Sequence, residues 1–288
     1  MKSSTLFLSV LSSLSLGLVG CGDDDHGSHD HSDAGSQADA TVGEDAATPS
    51  AMIVTVGGDY AGSGVLTTVK VPDMEVTVNA VAGVAGGDPA IRQYGDRLFI
   101  LDRFGGDSVT VLDRELGLVG QVSTGTGSNP QDIAVIGNTL YVAAWDATGV
   151  LVIDLADFDG GVVKTIDLSE LDTDDGMPDC NSIYAVGARL YVSCQLMNRD
   201  TFTPRGSGKV AVIDTSDDSV ETTLELASTN PQAWFEQLAG GDLVFSTAPG
   251  ALFGGSNDSG CLERISTSGT PSVLGCLSNN KDRNAYPS

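Results

Sequence analysis

Asn138-Thr139-Leu140-Tyr141-Val142, followed by Val150-Leu151-Val152-Ile153-Asp154, is the pair of phrases that decides how this chain folds. The first recurs as Asp96-Arg97-Leu98-Phe99-Ile100, as Ala188-Arg189-Leu190-Tyr191-Val192 and, shortened, as Asp242-Leu243-Val244-Phe245. The second recurs as Val109-Thr110-Val111-Leu112-Asp113 and Val210-Ala211-Val212-Ile213-Asp214. Each phrase has the length and the β-branched and aromatic content of one short strand, led in by a small polar turn. A repeat of roughly 40 to 60 residues made only of such strands predicts an all-β fold: a β-propeller of four-stranded antiparallel blades. About five blades fit the length, in a ring that is either tightly closed or incomplete.

Working outward, the blades can be laid down strand by strand. Blade 2 is expected at 90–94, 97–101, 108–113 and 118–123, and blade 3 at 131–136, 139–144, 150–154 and 162–168. Blade 4 follows at 182–186, 189–194, 209–214 and 220–226, and blade 5 at 233–238, 242–246, 261–266 and 272–277. Asp88-Pro89, Asn129-Pro130-Gln131 and Asn230-Pro231-Gln232 mark the turns that open inner strands. Proline suits that position because it needs no ladder donor there. Before blade 2 only three strands are read, at 53–56, 65–71 and 76–81, so one blade lacks its inner strand.

The N-terminal fifty residues are of another kind. Lys2 precedes a short, serine-laced apolar run from Leu6 to Val19, too short and interrupted to span a membrane. The run ends in Leu18-Val19-Gly20-Cys21, which resembles the lipobox of bacterial lipoproteins. That resemblance implies a signal peptide over 1–20, lipidation (palmitate included) at Cys21, and a bilayer anchor in the cell envelope. Gly22 stands where an Asp would favour inner-membrane retention, so the implied destination is the outer membrane. Residues 22–50 hold eight acids, no Lys or Arg and almost no large apolar side chain. Such a stretch cannot offset its ordering entropy, and 21–50 reads as a disordered acidic tether. Residues 51–288 are one domain in size.

With Cys21 assigned to lipid, Cys180, Cys194, Cys261 and Cys276 allow three pairings. Cys180 and Cys194 bracket a hairpin turning at Gly187-Ala188, and Cys261 and Cys276 bracket one turning at Ser268-Gly269. Each pair is therefore expected directly opposite across two antiparallel strands, as bridges 180–194 and 261–276. Export to an oxidising compartment agrees with disulfides.

Val210-Ala-Val-Ile-Asp-Thr followed by Ser216-Asp-Asp-Ser-Val-Glu-Thr-Thr-Leu resembles the repeat of YVTN-type β-propellers, bacterial surface and periplasmic proteins. Leu140-Tyr141-Val142 and Leu190-Tyr191-Val192 match the first half of that family's Tyr-Val-Thr-Asn strand. Ala143-Ala144 and Ser193-Cys194 replace the second half. The resemblance spans about 88–277. It implies binding or interaction roles and supplies no catalytic residues.

Chemistry is narrowed by what the domain lacks. His26, His29 and His31 all lie in the tether, which reads as a solvated spacer with at most weak transition-metal affinity. Without histidine in 51–288, a Ser-His-Asp or Cys-His relay and a His-ligated zinc or haem have no residues to use. The chain carries a formal net charge of −25, a field that repels nucleic acid. The expected function is a binding module for a protein or glycan ligand. A second reading is an enzyme or an accessory subunit of one, carbohydrate-active or redox-associated.

Strand alternation sets which loops share a face. The long connections 169–179, 195–208 and 247–260 all fall on one face of blades 4 and 5, with the four cysteines at strand ends beside them. Long loops on a rigid scaffold are where binding resides. Within that face, Asp172, Asp174 and Asp179 could supply hard oxygen ligands to calcium, with Gly176 permitting a sharp turn. A solvated acidic loop paired with Arg199 and Arg205 is the competing reading. Trp145 and Trp234 could stack a sugar or pack between blades.

Overall fold

The computed structural model describes residues 51–248, 250 and 260–279. The signal, Cys21 and tether readings lie outside these residues, as does most of the 247–260 loop. Blade 1 is a three-stranded sheet of Ala51–Gly58, Gly64–Val71 and Glu75–Thr77. Four four-stranded antiparallel sheets follow. Blade 2 comprises Pro89–Tyr94, Arg97–Asp102, Ser108–Leu112 and Leu118–Ser123. Blade 3 comprises Pro130–Ile136, Thr139–Ala144, Gly149–Asp154 and Val162–Asp167. Blade 4 comprises Cys180–Val186, Arg189–Cys194, Lys209–Asp214 and Ser219–Glu225. Blade 5 comprises Glu236–Gln237, Leu243–Thr247, Cys261–Ser266 and Ser272–Asn279. No helix among the described residues is long and apolar enough to cross a membrane.

The apolar phrases are explained by the stacking of blades. Val150 and Val152 point into the core shared with blade 4, beside Ile183 and Leu190. Leu151 and Ile153, one residue out of phase, point into the core shared with blade 2, beside Phe99 and Val111. Successive side chains of a strand face opposite ways, so a strand between two neighbours must be apolar at every position. Outer strands meet fewer neighbours, and Leu118–Ser123 buries only Val122. Blade 1 packs on blade 2 through Leu66, Ile91, Ile100 and Leu112. Met52, Ile53 and Val65 of blade 1 remain exposed.

Two strand expectations need correction. The third strand of blade 1 is Glu75–Thr77, not 76–81, because Asn79 takes a positive φ and Ala80 N–H turns back to Leu66 O. The inner strand of blade 5 is Glu236–Gln237, not 233–238. There Phe235 N–H donates to Ser182 Oγ of blade 4 at 3.3 Å, in place of a ladder bond.

Asp132 ties the inner strands together. Its carboxylate, 2% exposed, accepts from Arg92 Nε of blade 2 at 2.7 Å. It also accepts from Ser182 Oγ at 3.1 Å and Ile183 N–H at 3.0 Å in blade 4, and from Ile133 N–H at 2.9 Å. The Arg92 guanidinium carbon lies 3.3 Å from the ring centroid of Trp234 in blade 5. One acid thus links four blades. Breaking a buried ion pair on one side leaves an uncompensated charge. Asp132→Ala is therefore expected to cost about 3–5 kcal/mol in denaturant unfolding. An apolar double replacement, Arg92→Met with Asp132→Leu, should recover much of that loss, and equal losses in both variants would refute the pairing as the cause.

Candidate functional site

A repeated clasp builds the loop face. The carbonyl of the residue opening each inner-strand turn accepts an N–H from the residue that follows the second strand. The pairs are Arg103 to Asp88 at 3.1 Å, Trp145 to Asn129 at 3.0 Å, Gln195 to Asp179 at 3.1 Å and Ala248 to Asn230 at 3.0 Å. Asn129, Asp179 and Asn230 have φ of 53°, 55° and 50°. Asn and Asp tolerate that left-handed conformation better than other side chains. Two residues later in each blade come Gln131, Asn181 and Gln232. These three amides line one cavity of about 710 Å³, with Phe104, Trp145 and Phe202 also on its wall.

The loop 195–208 folds over this cavity as a small hairpin, Met197–Asn198 with Thr203–Pro204. It carries Arg199 to the centre of the polar network. Arg199 Nη1 donates to Asp146, and Nη2 donates to Asp179 and, at 2.8 Å, to Trp145 O. Arg199 also lies over the Trp145 ring, 4.4 Å from its centroid. Trp145 stacks against Phe202 at 6.3 Å and donates Nε1–H to Gln195 Oε1 at 2.7 Å. Arg199 Nε is buried and has no partner.

The structure places each predicted site residue. Arg205 Nη1 bonds both oxygens of Asp172 at 2.8 Å, and its Nε lies 3.5 Å from Asp174. Asp179 is fully buried against Arg199 and also accepts Met197 N–H at 2.6 Å. The three acids thus meet two guanidinium groups rather than one shared point. Trp145 and Trp234 both lie beneath arginines.

Both disulfides are formed, Cys180–Cys194 and Cys261–Cys276. Cys180 and Cys194 face each other in register, as expected. Cys261 instead pairs with Asn279, and Cys276 pairs with Glu263, because the last hairpin is bulged twice. Cys276 is therefore inside its strand, not at an end. Among the described residues, Cys261, Glu263 and Cys276 are the one group of potential metal ligands gathered within 4.8 Å. The two sulfurs are bonded to each other, and Glu263 is fully buried with neither oxygen hydrogen-bonded. Burial pushes its carboxyl above the usual glutamate range.

The face reaches further than the loop lengths suggested. The cavity is centred on blades 2 to 4, through Phe104, Trp145 and the 195–208 hairpin, with blade 5 adding Gln232. Loop length alone missed Phe104, Gln131, Asn181 and Gln232. Their position two residues after each opening turn was the available signal for the three amides.

No protein-family model matches the chain, and no curated protein matches it. Solved structures do. The chain is similar to Kuenenia stuttgartiensis hydrazine synthase, with 20% identity and a TM-score of 0.52, over 76% of this chain and 61% of that one. It is similar to the WD40 β-propeller domain of Doa1, with 13% identity and a TM-score of 0.53, over 79% and 66%. Saccharomyces cerevisiae Sqt1 matches with 12% identity and a TM-score of 0.52, over 80% and 60%. The chain thus spans about three fifths to two thirds of these structures' lengths. The likeness is one of fold: the protein is a β-propeller of about five blades.

Asp179 makes the site sensitive to pH. Burial leads in pushing its carboxyl up to about 6, while Met197 N–H and Arg199 hold it back. A raised carboxyl contributes stability that is complete below its unfolded pKa and is lost as pH rises through the folded one. The stability of the native protein relative to Asp179→Asn is expected to fall by at most about 3 kcal/mol between pH 4 and 7. Unfolding both proteins across that range checks it, and a difference that rises with pH would contradict the assignment.

Proposed function

We propose that this protein is a lipid-anchored, extracytoplasmic binding module that engages its ligand through the mouth of the propeller. The observation that carries the reading is the cavity itself, formed by loops of successive blades on one face. Its volume lies within the few-hundred to ~1,000 Å³ range of small-ligand sites. A pair of buried carboxylates there would favour an enzyme. The described wall holds one carboxylate, Asp146, which is tied to Arg199 and to Asn129 Nδ2. The excess of 39 acids over 14 Lys and Arg argues against nucleic acid as a partner.

Leu18-Val19-Gly20-Cys21 supports anchoring by a lipidated Cys21, and Gly22 supports the outer membrane as the destination. The acidic segment 22–50 would hold the propeller away from the bilayer surface. Cys21→Ser should move the protein from the membrane fraction to the soluble fraction and abolish incorporation of a labelled fatty acid. Membrane retention without label would refute the anchor. Crosslinking in intact envelopes tests the mouth: partners captured by the native protein should be lost when Phe104 and Gln232 are both replaced by Ala. Unchanged capture would place binding elsewhere.

A further inference from the structure

We infer that the mouth takes a neutral saccharide, a deepening that rests on the binding role proposed above. The argument begins with charge. Arg199 is the cationic side chain on the cavity wall, and it is shared between Asp146 and Asp179. With one guanidinium engaged by two carboxylates, no free cation is left on the described wall to select a phosphate or a carboxylate. The acidic domain around it further disfavours anions.

The remaining polar groups call for hydroxyl and carbonyl partners. Asn181 Oδ1 accepts from Ser193 Oγ at 3.0 Å, which turns its amide NH₂ to other use. Gln232 is exposed at the mouth, and its side-chain amide bonds no described residue. Donors at a cavity wall are satisfied by groups that accept, and an amide such as Gln232 both gives and receives. Sugar hydroxyls and acetamido carbonyls match this set. A peptide strand would add a row of N–H donors for which the wall has few acceptors, since Gln195 is committed to Trp145 and to Pro231 O.

Sugars also need an apolar plane, because one face of a pyranose ring presents mainly C–H. Trp145 is taken up by Phe202 and Arg199. Phe104, on the short loop of blade 2, lines the cavity and is 72% exposed. Phe104 therefore offers an accessible aromatic face on the same wall as the amides.

Calorimetric titration of the full lipidated chain in a sugar-free detergent tests the inference. The probes are neutral trisaccharides of N-acetylglucosamine, of mannose and of α- and β-linked glucose, with uronic-acid and phosphorylated counterparts and a mixed peptide library. At least one neutral trisaccharide should bind, more tightly than its anionic counterpart. Phe104→Ala and Gln232→Ala should each weaken that binding by roughly tenfold or more, and both side chains are exposed, so folding is not at stake. Absence of neutral-sugar binding, preference for the anionic forms, or indifference to both variants would overturn it. If sugars fail while envelope crosslinks still depend on Phe104 and Gln232, the saccharide inference falls and the binding role stands. If both fail, both readings fall.

Discussion

The carboxylate of Asp132 is the constraint on which the blade arrangement depends. It sits on the inner strand of blade 3 and accepts from blades 2 and 4, while its partners Arg92 and Ser182 reach blade 5. A buried carboxylate is costly unless its lone pairs are filled. Four donors fill them here, and no single blade could supply that set. The hydrophobic contacts between neighbouring sheets are strong but tolerant of small shifts. The hydrogen bonds to Asp132 are directional, and they fix how far the inner strands stand apart.

That fixed spacing is passed directly to the loop face. Gln131 precedes Asp132, Asn181 precedes Ser182, and Gln232 stands two residues before Trp234. Gln131 and Asn181 are thus the next residues outward along strands pinned by Asp132, while Gln232 stands on the segment that leads to the short inner strand of blade 5. The Asp132–Arg92–Trp234 network holds the inner strands together, and a clasp ties each opening turn to the loop that follows the second strand. Positioning by rigid strands is what allows a few amides to act as a defined set. The loop residues of the wall are placed otherwise, among them the hairpin carrying Arg199 and Phe202. It is held by Arg199, by Asp179 accepting Met197 N–H, and by Arg205 on Asp172 and Asp175.

Most strands were legible because local pattern and tertiary demand agree there. Thr139–Ala144, Arg189–Cys194, Lys209–Asp214 and Cys261–Ser266 begin and end where turn residues and apolar runs place them. The inner strand of blade 5 was not legible. Ala233 to Leu238 read as a strand, but Trp234 and Phe235 are used by other blades, a demand that no local window contains. The cysteine pairing survived an error in register: a disulfide tolerates a diagonal pair, so the bulges near Glu263 and Arg264 changed the partners without separating the sulfurs. The pairing of Arg199 and Arg205 with the acidic loop was readable from charge and proximity of loops. The cavity was not, because it draws one or two residues from each of several blades.

Glu263 shows where this fold departs from the economy of Asp132. Both are buried acids on strands of the propeller, yet Asp132 has four donors and Glu263 has none. The amides of Ala227 and Ser228 lie near enough to favour its charge without closing a bond, and burial outweighs them. The difference follows from position. Asp132 stands where four blades converge and donors are plentiful, whereas Glu263 stands on the third strand of the last blade, beside a disulfide that offers no N–H. An acid at the hub is held in place by its own hydrogen bonds. An acid away from the hub is held closer to its neutral form, and its burial is supported by the cross-linked hairpin around it rather than by its own contacts.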